Sequence, residues 1–276
     1  MPGDQPNKFA KAASSETDVV VVDLEDAVSN ARKDYARDAL AEWLMSEPGI
    51  PLVIRINPID SRCGSLDLET VLSNENGMIL GIRLPKVEKI SDVTTVADRI
   101  RIAGSDLGIF PIIESAIGVE NVQQLAACDA LIKGVCIGFG DLLADISPLA
   151  GPEAINWAMG RFIMAVRGAG LPAPPLGVYP DIRNLDALRK STESGRAVGF
   201  IGRSAFHPAQ IPVINEVFTP SIKAVEEANE IIDLYSDPQQ GAILLHGKIV
   251  DYADLVRAEQ LVDLFNLTLT QNEAGG

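Results

Sequence analysis

The chain has 276 residues, a length that fits one α/β barrel of roughly 250 residues better than two small domains. Its 47% of hydrophobic residues can form a sizeable core, and its formal charge of -15 argues against nucleic acid or an anionic membrane as the main partner. No apolar run approaches the ~18 residues of a membrane span, the first residues lack a signal peptide's apolar core, and the three cysteines lack metal-site spacing. A reduced, cytoplasmic protein is therefore expected.

Seven short apolar runs alternate with helix-like segments along the chain, which predicts a parallel sheet. The predicted strands are 18–24, 51–57, 78–84, 108–113, 132–138, 174–179 and 198–206. Apolar side chains at helical spacing predict helices that include 31–44, 118–127 and 152–169. A closed barrel needs eight strands, so we predict an α/β barrel whose first strand is missing or truncated, or one that closes in another way.

A separate segment follows the last predicted strand. It contains a turn-rich stretch, a helix over about 223–235, a polar break and a terminal amphipathic helix. We expect the catalytic barrel to occupy 1–220 and a C-terminal helical extension or lid to occupy 221–276, within the same structural unit. An extension of this kind usually packs against a neighbouring subunit or covers a site.

Charged side chains recur where the apolar runs end. They are Asp23, Glu25, Asp26, Arg55, Glu114 and Asp141. The carboxyl ends of parallel strands meet at one end of an α/β barrel, which is where such barrels carry their chemistry. Carboxylates with one arginine suit a hard divalent cation and an anionic ligand. The pattern predicts an enzyme with metal-assisted chemistry.

Glu114 and Asp141 end two consecutive predicted strands. Because neighbouring parallel strands lie about 4.8 Å apart, the two carboxylates can share one Mg²⁺ and leave coordination positions for water and substrate oxygens. The structural alternative is that each acid caps the following helix or pairs with a nearby base. Taken together, the two positions predict a magnesium site.

Arg55 ends the second predicted strand, where its guanidinium can donate two parallel hydrogen bonds to a carboxylate or a developing enolate. An ion pair with Asp23 or Glu25 is the alternative. Alternation points Asp23 and Glu25 to the same side of the strand, whereas Asp26 opens the loop and can cap the next helix. Crowded carboxylates raise one another's pKa, so a metal or Lys33 is expected to help keep them ionised.

Two further residues have chemical and structural interpretations. Lys86 also ends a predicted strand, where an aldolase lysine can form a Schiff base, and a surface or ion-paired lysine is the alternative. His207 stands in the sequence FHPAQ, where we expect it to stabilise a turn. With two histidines in the chain, a histidine zinc site or a Ser-His-Asp triad is poorly supported. The glycine-rich nucleotide-binding motifs do not occur.

Nine sequence blocks run through nearly the whole chain. They are PGDQPNKFAKAA, DVVVVDLEDAV, VIRINP, IRLPKVE, IFPIIESAIGVEN, GFGDLLADI, GLPAPPLGVYPDIRNLDAL, GFIGRSAFHPAQIPVINEVFTPS and GKIVD. In this order they resemble the HpcH/HpaI aldolase/citrate lyase family, specifically its citrate lyase β subunit-like (CitE-like) acyl-CoA lyases. The resemblance implies a TIM (β/α)₈ barrel, Mg²⁺ dependence, homo-oligomers (commonly trimers), and thioester substrates carried on coenzyme A or an acyl carrier protein.

The resemblance also implies roles for individual residues. Glu114 and Asp141 match the metal-binding acids, and Glu114 is expected to face the substrate as well. Arg55 matches the arginine that contacts the keto acid, and Asp26 matches the second acid of the LEDAV motif, in the outer shell of the catalytic site. Asp251, in GKIVD, matches an aspartate that related malyl-CoA lyases bring in from a neighbouring subunit as part of the catalytic site.

Three positions depart from the family pattern. Arg203 replaces the usual lysine before the His-Pro motif, and we expect it to contact the coenzyme A part of the ligand. Gln5 stands where an arginine is common in the opening loop. Gly140 stands where an acid often precedes the metal-binding aspartate. The last difference bears on which substrate the enzyme accepts.

Residues and resemblance together predict a Mg²⁺-dependent carbon–carbon lyase. It would cleave a 3-hydroxyacyl thioester of the citramalyl-CoA or malyl-CoA type to a 2-keto acid and acetyl-CoA. The alternatives are a citrate lyase β subunit that acts on citryl-acyl-carrier-protein, a malyl-CoA thioesterase, and a thioester-binding relative without catalysis.

Overall fold

A computed structural model describes residues 1–235 and 241–274, with side chains as far as residue 268. The chain divides into two compact units, Met1–Ile214 and Asn215–Gly276, and each is described separately. The domain boundary that we expected at 220/221 stays a prediction.

The first unit is a parallel α/β structure. Its strands are β1 (Val20–Asp23), β2 (Leu52–Arg55), β3 (Ile79–Leu84), β4 (Gly108–Ile113), β5 (Cys136–Ile137), β6 (Pro175–Leu176) and β7 (Gly202–Arg203). Its helices are α1 (Phe9–Ala13), α2 (Lys33–Met45), α3 (Arg62–Ser73), α4 (Ile90–Ile102), α5 (Ala116–Ala127), α6 (Phe139–Ile146), α7 (Pro152–Gly168) and α8 (Leu185–Val198), and α9 (Ile211–Phe218) begins in this unit. Short 3₁₀ turns cover Pro6–Lys8, Asn30–Arg32 and Pro208–Gln210.

The strands form a curled half-barrel. Strands β1 to β5 make one sheet in sequence order, all parallel, while β6 and β7 make a separate parallel pair and β6 lies beside β5. All seven predicted strands are present; β4 has its predicted bounds, the others are shorter than predicted, and the last three have only two residues each. In the predicted strand 132–138, for example, Ile132 forms a single bridge with Ile109, and regular pairing begins only at Cys136.

A short extended segment lies beside β1, at the place of the first strand that we predicted to be missing or truncated. Pro2 forms a parallel bridge with Asp23, and the backbone N–H of Gly3 donates to the Asp23 carbonyl at 2.8 Å. A Cβ atom on Gly3 would lie 2.7 Å from Leu24 Cδ2, so a larger residue here would force the buried Leu24 side chain to move. β1 therefore has a partner along part of its second edge.

Alternation along the strands separates an apolar row from a charged one. Val22, Ile54, Ile82 and Ile109 share one register row, are fully buried, and face the helices. The next row consists of Asp23, Arg55, Arg83 and Phe110, which project to the opposite, inner face of the sheet. Helix packing thus stabilises the sheet from outside and leaves its inner face for polar side chains.

The second unit is small and has its own core. It contains α10 (Ile222–Leu234), β8 (Ile243–Leu245), β9 (Lys248–Val250) and α11 (Tyr252–Ala274). β8 and β9 form an antiparallel hairpin, whose two turn residues, His246 and Gly247, both have positive φ as a tight hairpin turn requires. Tyr235, Val250 and Leu255 are buried together. Both predicted C-terminal helices are present. Among the described residues, no helix has the length and apolarity to cross a membrane.

Candidate active site

Arg55 is the centre of an ion-pair cluster at the carboxyl end of β2. Its Nε and Nη2 atoms donate to the two carboxylate oxygens of Asp23 at 2.8 and 2.5 Å. Its Nη1 atom lies 2.8 Å from Glu25 Oε2 and 3.5 Å from Asp26 Oδ2. Burial alone lowers the pKa of Arg55, but these carboxylates outweigh burial and raise it. Arg55 therefore forms the ion pair that was the structural alternative, and it does so with both Asp23 and Glu25.

Glu25 is the buried acid of the loop that follows β1. Its residue exposure is 3%, and apart from its ion pairs neither carboxylate oxygen has a hydrogen-bond partner. Lys86 Nζ lies 3.4 Å from Glu25 Oε1 on the side away from Arg55. Burial, assisted by the charge of Asp26, raises the pKa of Glu25 despite the neighbouring cations. Two cations therefore face a carboxylate that is still open to further hydrogen-bond donors.

The expected alternation of the three acids is confirmed, with one correction. Asp23 and Glu25 are buried, whereas the side chain of Asp26 is 56% exposed. Asp26 was expected to be able to cap the next helix, and this is wrong, because the N-cap of the next helical turn is Ser29. Asp26 is free of that structural role and lies at the solvent side of the cluster.

A buried network of hydrogen bonds fixes the backbone of the loop that follows β1. Lys33 Nζ donates to the carbonyls of Leu24 and Glu25 at 2.8 and 2.7 Å. Asn57 Nδ2 donates to the same Leu24 carbonyl and to Asp67, which also accepts from Arg37. Lys33 was expected to help keep the acids ionised. Among the described ion pairs it contacts no carboxylate, and Arg55 and Lys86 supply the positive charge instead.

Glu114 directly follows β4 and is buried, with 6% exposure. Its Oε1 accepts the backbone N–H of Lys86 at 2.7 Å, and a Cβ atom on Gly138 would lie 2.6 Å from its Oε2. Lys86 adopts φ 55°, a left-handed conformation that is uncommon for a lysine and that aims this N–H at the carboxylate. Burial raises the pKa of Glu114 to about 7, the Lys86 N–H opposes the shift, and the charges of Glu25 and Asp141 add to it.

Asp141 lies in the first turn of α6, not at a strand end as predicted. β5 ends at Ile137, so the position equivalent to Glu114 in the parallel register is Gly138. Glycine at that position leaves room for the Glu114 carboxylate, and the acid comes three residues later. Asp141 is exposed, and its charge raises the pKa of Glu114. The two predicted metal ligands are therefore close enough for their charges to interact, with Glu114 at the end of a strand and Asp141 at the start of a helix.

The chemistry of this donor set fits Mg²⁺. Among the described residues, no group of three or more His, Cys, Asp and Glu side chains could enclose a metal ion. A site built on two carboxylates leaves several positions to water and substrate, which is how Mg²⁺ is usually held. The oxygens of buried Glu25, which have ion pairs but no hydrogen bond within the protein, can accept hydrogen bonds from such waters. A cation would also remove the electrostatic cause of the raised Glu114 pKa.

Arg203 and Asp251 belong to other places in the chain. Arg203, at the end of β7, donates to Gly177 O, Thr192 Oγ1 and Ser191 Oγ at 3.1, 2.7 and 3.1 Å. Burial lowers the pKa of Arg203 to about 10. Asp251 lies in the second unit. It is the N-cap of α11, where its Oδ1 accepts from Ala253 N at 2.9 Å and from Asp254 N at 3.3 Å. Its predicted role in a neighbour's site stays a prediction.

His207 and Lys86 have the structural roles considered for them in the sequence, a turn contact and an ion pair respectively. His207 Nδ1 accepts the N–H of Ala209 within its turn, as expected. Lys86 is ion-paired with Glu25, and that charge, with the charge of Asp26, raises the pKa of Lys86 despite partial burial. A Schiff base requires a neutral amine, so this environment opposes one.

Sequence reasoning missed two contributors to the site, the backbone N–H of Lys86 and the space at Gly138. It also did not single out Arg83, which shares a register row with Arg55. The first two depend on a left-handed backbone and on sheet register, for which the sequence carries no local signal. Arg83 was detectable, because it is a charged residue within a predicted strand, and alternation places it on the same face as Arg55.

The comparisons with known proteins agree with this geometry. Residues 1–208 match the model of the family described as HpcH/HpaI aldolase/citrate lyase. A (3S)-malyl-CoA thioesterase of Cereibacter sphaeroides (strain ATCC 17025 / ATH 2.4.3) is 33% identical, over 94% of this chain and 90% of that protein. The mitochondrial citramalyl-CoA lyase of Mus musculus is 30% identical, over 96% of this chain and 84% of that protein.

A solved structure extends the similarity to the fold. The protein CitE of Mycobacterium tuberculosis, crystallised with magnesium, acetoacetate and coenzyme A, superposes with a TM-score of 0.79 at 28% identity, over 96% of each chain. The predictions of an enzyme, of a barrel-type α/β fold and of Mg²⁺ dependence are confirmed at the level of the family. With the sequence blocks, the curled parallel sheet and the acids at its carboxyl end all in agreement, the chain belongs to the HpcH/HpaI aldolase/citrate lyase family.

Proposed function

We propose that this protein is a Mg²⁺-dependent carbon–carbon lyase that cleaves a 3-hydroxyacyl-CoA of the malyl-CoA or citramalyl-CoA type. The observation that carries the proposal is buried Glu114, whose pKa is raised to about 7 by burial and by two neighbouring carboxylates. Such a group is held in an unfavourable state until a cation reaches it. Similarity to a citramalyl-CoA lyase and to a CitE structure containing magnesium and coenzyme A supports the same function.

Glu114 and Asp141 would hold the metal. Bound there, Mg²⁺ supplies Lewis acidity that lowers the pKa of the substrate hydroxyl and neutralises the adjacent carboxylate. The Lys86 N–H keeps Glu114 Oε1 in one orientation, so that Oε2 is the oxygen left for coordination. Gly138 provides the space in which that oxygen lies.

Cleavage is a retro-Claisen step. The substrate hydroxyl loses its proton, its C–O bond becomes the keto group, and the bond between the hydroxyl carbon and the α-carbon of the thioester breaks. The electron pair passes into the thioester as an enolate, which is then protonated on carbon to give acetyl-CoA. Arg55, whose Nη2 atom has a second N–H not used by Asp23, would donate to the keto acid or the enolate. We assign the proton transfers to Asp251 of a neighbouring subunit, with Asp26 in the outer shell.

Arg203 is proposed to contact the coenzyme A part of the substrate. Within the described residues Arg203 contacts neutral oxygens and the Tyr179 ring but no carboxylate, so its positive charge remains available to an anionic phosphate. A homo-oligomer, such as a trimer, is part of the proposal because Asp251 would come from another chain. The predicted cytoplasmic location stays a prediction.

Thioester hydrolysis is the second candidate. The 33% identical relative is a (3S)-malyl-CoA thioesterase. In addition, a Cβ atom on Gly140 would meet nothing within 4 Å, so the position beside Asp141 is open. Water admitted there could attack the thioester carbonyl and break the C–S bond, giving a free hydroxy acid and the coenzyme A thiol.

The two functions differ in their products. We would incubate the purified protein with malyl-CoA and with citramalyl-CoA, with Mg²⁺ or EDTA, and follow the products by NMR. A lyase releases a 2-keto acid and acetyl-CoA without free thiol, and Glu114→Gln abolishes the reaction. Free coenzyme A with malate or citramalate would establish the thioesterase instead. Turnover restricted to carrier-bound citrate would indicate a citrate lyase β subunit, and binding without turnover would indicate a non-catalytic relative.

A further inference from the structure

Arg83 lies on the inner face of the sheet, on the strand between those that carry Arg55 and Glu114. In the parallel register Arg83 pairs with Arg55 of β2 and with Phe110 of β4. Paired positions of neighbouring strands project to the same face. The side chain of Arg83 therefore begins in the same row as Arg55, on the face toward which the candidate active site is built.

The guanidinium of Arg83 has no protein partner within residues 1–235 and 241–274. It makes neither an ion pair nor a hydrogen bond there, and its Nε atom is buried without an acceptor. Buried polar groups are nearly always hydrogen-bonded, and an unpaired charged donor is the least favourable exception. Because the residue as a whole is only partly buried, an acceptor can reach it from solvent.

Arg55 cannot by itself attract an anion strongly. Its Nε, Nη1 and Nη2 atoms each contact a carboxylate, and three acids surround one guanidinium. Lys86 also pairs with Glu25, so two side-chain cations face the three acids of this cluster, and a substrate carboxylate that approaches it still meets one formal negative charge in excess. Mg²⁺ offsets part of that excess. Arg83, on the neighbouring strand and without an acid of its own, offsets more.

We propose that Arg83 binds the substrate carboxylate that becomes the carboxylate of the 2-keto acid product, and so determines specificity for a charged acid at that position. The inference rests on the proposed function, because it assigns part of that substrate. A guanidinium can donate two parallel N–H groups to a carboxylate, which an uncharged ester cannot accept equally well. Arg83 would thereby select the acid over its neutral analogues.

The test compares pyruvate with methyl pyruvate, which lacks the negative charge. Dissociation constants in the presence of Mg²⁺ would be measured by ligand-observed NMR for the wild-type protein, Arg83→Gln and Arg83→Lys. Arg167→Gln removes the same net charge at the end of α7, where Arg167 donates to the Leu171 carbonyl, and serves as the matched control. Turnover of citramalyl-CoA would be recorded for each protein.

We expect Arg83→Gln to weaken pyruvate binding by about 10- to 100-fold and methyl pyruvate binding by less than about threefold. The KM for citramalyl-CoA should rise with little change in kcat. Arg83→Lys should keep part of the preference for pyruvate, and it provides the comparison if Arg83→Gln fails to fold. Arg167→Gln should match the wild type.

Equal effects on both probes, or none on either, would overturn the assignment of Arg83 while wild-type turnover leaves the proposed function intact. If the wild-type protein neither turns over a thioester nor binds either probe, the proposed function fails, and the assignment fails with it.

Discussion

Two arginines that end strands of the first unit lie in opposite electrostatic surroundings. Arg55, at the end of β2, is surrounded by three carboxylates, and their charges raise its pKa in spite of burial. Arg203, at the end of β7, donates to three neutral oxygens and forms no ion pair within the described part of the chain. Burial lowers its pKa to about 10.

The difference shows what each arginine can do. The charge of Arg55 is already matched by protein acids, so its first effect is to hold those acids in place and ionised. The charge of Arg203 lies over the Tyr179 ring and faces no carboxylate among the described residues, so it can still pair with an anion from outside. One strand end is organised by ion pairs within the protein, and the other would be completed by a ligand if Arg203 binds coenzyme A as proposed.

The largest expected difference is in stability. Arg55→Met leaves Asp23 and Glu25 buried without their cation, so the free energy of unfolding should fall by about 3–5 kcal/mol. Arg203→Met removes a desolvated charge that has no anionic partner, so its free energy of unfolding should change by less than about 1 kcal/mol. Urea unfolding of both variants measures the contrast, and equal losses would show that the two environments are energetically alike.

Activity extends the contrast at Arg55. Arg55→Lys keeps a charge but loses the planar pair of donors that binds Asp23, so it should behave more like Arg55→Ala than like wild type. Both should lose about 10²–10³ in kcat. If the lysine variant kept nearly full kcat/KM, a diffuse charge at this position would be sufficient.

Asp251 tests whether a neighbouring chain completes the acid-rich end. Asp251→Ser keeps an N-cap for α11 but loses the carboxylate, so we expect a roughly 10²-fold loss of activity with little loss of stability. Asp251→Ala should add about 1 kcal/mol of destabilisation. Mixed oligomers of Asp251→Ser and Glu114→Gln chains should regain activity because some sites are intact. Full activity in the serine variant would leave Asp251 as a helix cap only.

Glu114 gives the acid-rich end a pH dependence that the Arg203 end lacks. Without metal, burial raises the pKa of Glu114 to about 7 in the folded chain, from the ordinary 4.5 of an exposed glutamate. As pH rises from about 4.5 to 7 the unfolded chain loses this proton first, so the folded state loses stability, on the order of 1–3 kcal/mol. In EDTA at pH 8, Glu114→Gln should therefore be more stable than wild type, with the gap closing near pH 5. Parallel stability curves would contradict the raised pKa.

The smallest expected effect is at Arg203. If it binds the coenzyme A phosphates, Arg203→Gln should raise the KM for an acyl-CoA by about tenfold, with kcat unchanged. The same substitution should leave KM unaltered for an acyl thioester that lacks the nucleotide. A change in kcat with both substrates would place Arg203 in the reaction itself or in the fold.

Sequence reasoning reached the parallel sheet and most of the acid-rich end because both depend on short-range patterns. Alternation placed Asp23 and Glu25 on the same side, and both contact Arg55. It placed Asp141 wrongly, because regular pairing of β5 ends at Ile137 and the helix starts two residues later. It also assigned Lys33 to the acids, although the ammonium group binds backbone carbonyls, a contact that only three-dimensional packing reveals.

Magnesium binding tests the account most directly. Mg²⁺ would be titrated calorimetrically into metal-free wild-type protein and into the Glu114→Gln/Asp141→Asn double variant at pH 8. We predict one site per chain in the wild type and no binding in the folded double variant, because both anionic ligands have been removed. Equal Mg²⁺ binding by the two proteins, or none by the wild type, would contradict a magnesium site built on Glu114 and Asp141.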